Sequence, residues 1–185
     1  MTDEFKWKKV DSQEIHKNPW YRIMQDNVIM PSGQLGKYTY IKRSAGVIIG
    51  AVTKDQKIFL VGQYRYPIKK FTWELPMGTL EAGEDDIEMA AKRELREEVG
   101  VEAENWQQVG QFHYCSGLSE QKGYVFLARK IQLKQAQPDF TEFLTMKKVS
   151  LAEFEAMIVK GEVTDSPSIT AFYLLKSFLE KNENN

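Results

Sequence analysis

Within residues 85–99 the apolar side chains Ile87, Ala91, Leu95 and Val99 recur at every fourth position, and no other stretch constrains the fold as tightly. That spacing predicts a helix with one apolar face, which must be buried against a second layer. Asp85 and Asp86 fall in its expected first turn, where negative charge offsets the helix dipole, and Gly100 stands where a left-handed residue ends a helix. On either side the period is that of strands. Residues 20–42 alternate around Pro31-Ser32-Gly33, as the two arms of a hairpin do. Residues 45–52 and 57–64 are apolar, β-branched runs about Lys54-Asp55-Gln56, which predicts a second hairpin. Residues 71–75 form a brief strand stopped by Pro76 and Gly78, and strands are expected again at 106–114, 122–131 and 144–149. Helices are expected at 151–160 and 167–180, the latter with Pro167 in its first position and Ser166 as cap. The sum is an α/β domain with its sheet covered on both faces. The strands and helices do not alternate regularly and no GxGxxG is present, so a Rossmann arrangement is disfavoured.

A chain of 185 residues fits one domain with a full core and a small N-terminal extension. The expected division is residues 1–43 as N-terminal strands, 44–180 as the main domain, and 181–185 as a polar, disordered tail. Charges nearly cancel, at 25 basic against 26 acidic residues, so no global attraction to nucleic acid or to an anionic membrane is expected. No apolar run approaches the ~20 residues of a membrane span, and residues 1–9 are charged where a secretory signal would be apolar. One cysteine, Cys115, excludes an internal disulfide and suits a reducing compartment, so a cytoplasmic location is expected. His16 and His113 are too far apart for a His-rich zinc site, and a His113–Cys115 nucleophile pair would lack an orienting third group.

The chemistry is most legible in the helix itself. Residues 81–98 carry Glu81, Glu84, Asp85, Asp86, Glu88, Glu94, Glu97 and Glu98 against Lys92, Arg93 and Arg96. Glu94, Glu97 and Glu98 stand at i, i+3 and i+4, so three carboxylates share one helix face. Like charges at that spacing repel, and a hard divalent cation turns the repulsion into attraction. Oxygen-only ligands favour magnesium, or manganese, over zinc. The bland alternative is a solvated face laced with Arg–Glu pairs.

Around these acids the chain reads Gly78-x5-Glu84, then Arg93-Glu94-Leu95-Arg96-Glu97-Glu98-Val99-Gly100-Val101. This resembles the Nudix box, whose C-terminal half it matches at every defined position. Eight residues, not the family's seven, separate Glu84 from Arg93, an insertion upstream of the carboxylates. The resemblance implies a Nudix α/β/α sandwich with a mixed sheet and antiparallel N-terminal strands for dimerisation. It further implies Glu94 and Glu98 as metal ligands, Glu97 as a third ligand or a support, a main-chain carbonyl ligand from Met77, and Arg93 positioning the loop through a carboxylate.

The segments Gln63-Tyr64-Arg65-Tyr66 and Trp73-Glu74-Leu75-Pro76-Met77-Gly78 are similar to those preceding the box in ADP-ribose and nucleotide-sugar pyrophosphatases. The expected substrate is therefore a nucleoside diphosphate sugar, ADP-ribose, GDP-mannose or a relative, cleaved to a nucleoside monophosphate and a sugar phosphate by a homodimer. Arg65 and Glu74 are candidate substrate-binding residues, Arg65 because a guanidinium matches phosphate oxygens. Tyr21 and Arg43 are candidates for the base, and Glu120 for a sugar hydroxyl. Ser116 stands where the ADP-ribose subgroup usually has proline, which favours other nucleoside diphosphate sugars. A carboxylate must orient the attacking water. Related enzymes take it from a late acidic loop, which makes Glu142 the first candidate here and Asp139 the second, with Glu97 of the box as a third. The rivals are a house-cleaning triphosphatase, which has less need of N-terminal strands, and a non-catalytic nucleotide-sugar sensor, for which no DNA-binding helix pair is left over.

Overall fold

The computed structural model describes residues 3–134 and 144–183. They form ten strands and three helices in the order β1 (Lys8–Lys17), β2 (Arg22–Ile29), β3 (Leu35–Lys42), β4 (Gly46–Ala51), β5 (Lys57–Arg65), β6 (Lys70–Glu74), β7 (Met77–Thr79), α1 (Ile87–Val99), β8 (Val101–His113), β9 (Lys122–Leu133), β10 (Thr145–Ser150), α2 (Leu151–Val159) and α3 (Ser166–Glu183). Two compact units result: Met1–Ser44 with His113–Lys122, and Ala45–Phe112 with Gly123–Asn185. The segment His113–Lys122, assigned to the main domain on sequence, thus clusters with the N-terminal strands.

The first unit is built on an antiparallel meander, β1-β2-β3. The β2–β3 hairpin turns at Pro31-Ser32-Gly33, where Gly33 takes φ +84°, a value that strains any residue with a Cβ. β1 was not expected from the sequence. Its ten residues, KKVDSQEIHK, are all exposed and carry no alternation of apolar and polar positions. Pairing with β2 alone makes them a strand, through a register interrupted at two places.

In the second unit all six residues of β4 are buried, because layers cover both of its faces. Val47, Ile49 and Ala51 belong to a core with Ala90, Ala91 and Leu95 of α1. Gly50 faces the other way, and a Cβ there would meet Leu175 of α3 at 2.5 Å. β4 lies parallel to β9 and antiparallel to β7, so the sheet β7-β4-β9-β8 is mixed, with α1 and α3 on its two sides. The expected hairpin of β4 with β5 is corrected. The turn closes through Thr53 N–H to Lys57 O (2.9 Å), yet only Val52 and Ile58 bridge. β7 and β9 occupy both edges of β4, so β5 joins β6 and β10 in a separate sheet.

Helix ends follow from local chemistry. Asp86 is the cap of α1, rather than part of its first turn, and accepts from the N–H groups of Glu88 and Met89. Gly100 closes the helix at φ 64°, its N–H donating to Arg96 O. Ser150 and Glu153 form a capping box on α2. For α3 the cap is Asp165, one residue before the expected Ser166, because its carboxylate is the one that reaches Ser168 N–H. α3 also runs to Glu183, into the stretch expected to be a disordered tail.

Candidate active site

The carboxylate face of α1 is organised by Arg93. Its Nη1 donates to Glu94 Oε1 and Glu97 Oε2, both at 2.9 Å. Its Nη2 donates to Glu84 Oε2 and to Thr79 O, both at 3.2 Å, and Glu81 lies 3.9 Å from Nη1. Burial alone would lower the affinity of this guanidinium for its proton, but Glu84, Glu94 and Glu97 outweigh it and hold the pKa above the ordinary arginine value. Ahead of the helix the chain closes a tight turn over residues 81–84. Glu84 N–H donates to Glu81 O (3.1 Å), Glu81 N–H to Glu84 Oε2 (3.0 Å), and Gly83 takes φ +87°. Glu84 consequently still reaches Arg93. Burial pushes its pKa up, but the Glu81 amide and Arg93 together outweigh burial and hold it below the ordinary 4.5.

Glu98 points inward from the same helix, with 4% of its surface exposed. Its Oε2 accepts from Met77 N–H at 3.0 Å. Glu94 packs on the backbone at Gly78, where an added Cβ would overlap its carboxylate. Gly78→Ala is therefore expected to displace the Glu94 carboxylate, the far end of a flexible side chain, at a stability cost of about 1 kcal/mol, the low end for overpacking. Urea unfolding and a crystal structure of the variant check this; an unmoved Glu94 would refute the cradle.

The donor set on this face is carboxylate oxygen throughout, and Gly78 leaves room for Glu94 against the chain, so Glu94, Glu97 and Glu98 could hold a hard divalent cation. Among the described residues no three such side chains converge at ligand distance as they stand, since Arg93 lies between Glu94 and Glu97. A cavity of about 580 Å³ opens beside them, lined by Arg93 and Glu97 with Met89, Lys92, Arg96 and Trp106.

Arg65 and Glu74 pair across β5 and β6. Glu74 is fully buried, and Arg65 grips it with Nε (2.9 Å to Oε1) and Nη2, while Gln63 Nε2 lies 3.5 Å from Oε2. Burial pushes the Glu74 carboxyl up, against the pull of Arg65, and Glu74 in turn raises the Arg65 pKa. Glu74, a substrate-contact candidate on sequence, has its oxygens turned to Arg65 and Gln63.

Tyr21, Arg43 and Glu120 come together in the first unit. With Lys17, Trp20, Arg22 and Lys42 they line a cleft of about 320 Å³. Asn18 Oδ1 accepts from the N–H groups of Trp20 and Tyr21, both at 2.9 Å, and fixes the aromatic pair on its turn. Glu120 pairs with Lys42 at 3.3 Å. Trp20 lies in the cleft as a base-pocket candidate of the N-terminal strands, whereas Lys17 was missed; the Asn-Pro before the aromatic pair was the available turn signal. Asp139 and Glu142 lie outside the described residues. Among the described residues no helix is long and apolar enough to cross a membrane.

Comparison with known proteins places this geometry. Residues 42–172 match the NUDIX domain, and residues 7–41 match the nucleoside diphosphate sugar hydrolase N-terminal domain. The chain is 30% identical over 174 residues to the methanol dehydrogenase activator of Bacillus methanolicus, covering 93% of this chain and 94% of that one. It is 29% identical to the ADP-ribose pyrophosphatase of Mycobacterium tuberculosis, covering 90% of this chain and 81% of the relative. A solved structure described as an ADP compounds hydrolase superposes with a TM-score of 0.82 over 96% of both chains, at 17% identity, and shares the fold. Residues 3–134 and 144–183 thus carry a mixed α/β Nudix fold with antiparallel N-terminal strands, and the chain belongs to the Nudix hydrolase family, resembling its ADP-ribose pyrophosphatases.

Proposed function

We propose that the chain hydrolyses the pyrophosphate bond of a nucleoside diphosphate sugar, with magnesium on the α1 carboxylates, giving a nucleoside monophosphate and a sugar phosphate. The supporting observation is the gathering of Glu84, Glu94 and Glu97 about Arg93, with Glu98 and Gly78 alongside. An acidic face of this kind repels an anionic diphosphate unless a cation lies between them. Glu94 and Glu98 are the residues assigned to hold it, with the Met77 carbonyl and Glu97 in support. When bound, the cation neutralises phosphate charge and lowers the pKa of a water. Arg93 holds Glu84, Glu94 and Glu97 around one guanidinium and offsets their mutual repulsion. Arg65 commits Nε and Nη2 to Glu74, which leaves Nη1 as the edge offered to a phosphate oxygen. Glu74 is thereby assigned to orienting Arg65.

Alignment of the attacking water is assigned first to Glu142, then to Asp139 or Glu97. The cleft of the N-terminal unit suits a base and a sugar: Trp20 and Tyr21 offer aromatic faces, Arg43 a guanidinium plane and Glu120 a hydroxyl acceptor. Exposed Trp7, Val10, Ile15 and Leu35 on the same unit support a homodimer, and the single exposed Cys115 supports a cytoplasmic setting. The test is a phosphatase-coupled phosphate-release screen with magnesium over ADP-ribose, GDP-mannose, UDP-sugars, dinucleoside polyphosphates and deoxynucleoside triphosphates. A nucleoside diphosphate sugar is expected to give the highest kcat/KM. Preference for a triphosphate, or silence across the panel, would overturn the substrate assignment.

A further inference from the structure

Pro76 leaves the turn between β6 and β7 with only two main-chain donors, Leu75 N–H and Met77 N–H, and a side chain takes each. Leu75 N–H donates to Ser168 Oγ at 2.9 Å, and Met77 N–H to Glu98 Oε2 at 3.0 Å. Pro76 O accepts from Ile49 N–H at 2.9 Å. Three elements, α3, α1 and β4, therefore fix three consecutive residues of the chain just before Gly78. The Ser168 contact is directional. Its hydroxyl donates to Asp165 Oδ2 at 2.8 Å, so its lone pairs are left for Leu75. Asp165 is held in place by also accepting Ser168 N–H at 2.9 Å. Ser168 has no exposed surface, so water does not compete for these bonds. The segment leading into Asp165 is tied to β6 as well, through Trp73 N–H to Glu162 O (3.1 Å) and Lys70 Nζ to Gly161 O (2.8 Å).

We infer that Asp165 and Ser168 are positioning residues for the hydrolytic site: they lock the main chain of Leu75-Pro76-Met77 and so set Met77 and Gly78 against Glu98 and Glu94. The inference rests on the reading of the Glu94–Glu98 face as the reactive one. A plain helix cap would need only the Asp165 carboxylate and Ser168 N–H. The hydroxyl adds a bond to a turn 93 positions earlier in the chain, which a cap has no use for.

Ser168→Ala separates the two roles, since it keeps the N–H that Asp165 caps and removes the hydroxyl, with its bonds to Leu75 N–H and Asp165 Oδ2. It is compared with Ser168→Thr, which retains a hydroxyl, and with Ser150→Ala, which uncaps α2 away from the turn. Three quantities are read: kcat and KM with magnesium, amide exchange at Leu75 and Met77 in metal-free protein, and Mn2+ binding by electron paramagnetic resonance. Ser168→Ala is expected to lower kcat roughly 10- to 100-fold and to weaken Mn2+ binding, as loss of a supporting contact does. KM should stay within about twofold, and exchange at both amides should accelerate. Threonine should restore all three, and Ser150→Ala should shift Tm while leaving kcat and exchange alone. Unchanged kcat and exchange in Ser168→Ala, or an equal fall in kcat in Ser150→Ala, overturns the inference. If the wild-type protein hydrolyses nothing in the panel, the functional reading fails, and amide exchange with Mn2+ binding still decides the inference.

Discussion

Glu98→Gln is expected to fold like the wild-type protein and to lose at least about a hundredfold in kcat. The magnitude follows from Glu98 being assigned a direct ligand role, when even supporting contacts around a metal are worth 10- to 100-fold. The fold is expected to survive because the amide keeps an oxygen for Met77 N–H, the bond that Glu98 makes at 3.0 Å from a site with 4% exposure. What is lost is the negative charge. Steady-state kinetics with magnesium, alongside circular dichroism and Mn2+ titration, separate the two effects. Wild-type turnover in the variant would sink the ligand assignment. Glu98→Leu should behave differently, leaving Met77 N–H buried without an acceptor and destabilising the protein by about 1–3 kcal/mol as well.

Removing the guanidinium at the hub has the second-largest expected effect. Arg93→Met takes away the cation shared by Glu84, Glu94 and Glu97 while keeping much of the side-chain volume. Breaking a buried ion pair costs about 3–5 kcal/mol, and the exposure of Glu97 at 39% and Glu81 at 71% reduces that here to about 2–4 kcal/mol in metal-free buffer. Mutual repulsion of the stranded carboxylates should make the variant depend on divalent cations. Millimolar magnesium should raise its urea midpoint more than that of the wild-type protein. Equal stability without metal, or an equal response to magnesium, would count against both the hub and the cation-binding face.

The helix with its acidic face was legible in the sequence because it is a local object. Spacings of three and four residues place Glu94, Glu97 and Glu98 together whatever surrounds them, and Asp86 and Gly100 mark its ends with their own side-chain and backbone chemistry. Residues 45–52 and 57–64 were equally legible as strands, but not their partners. Whether β4 pairs with β5 depends on what else competes for its edges, and β7 and β9 come from 77–79 and 122–133. β1 was invisible, since a strand held by main-chain pairing with both faces exposed has no hydrophobic period to read.

The sequence by itself determined that a carboxylate helix exists, which residues lie on its face, and that the chain resembles Nudix pyrophosphatases. Only the tertiary structure decided what those residues touch. It put Arg93 between Glu94 and Glu97, turned Arg65 onto Glu74, and brought Ser168 of the last helix to the amide of Leu75. The physical reason is range. Helical spacing is fixed within a few residues by backbone geometry, whereas a hydrogen bond between positions 93 apart exists only once packing has brought both ends to the same place.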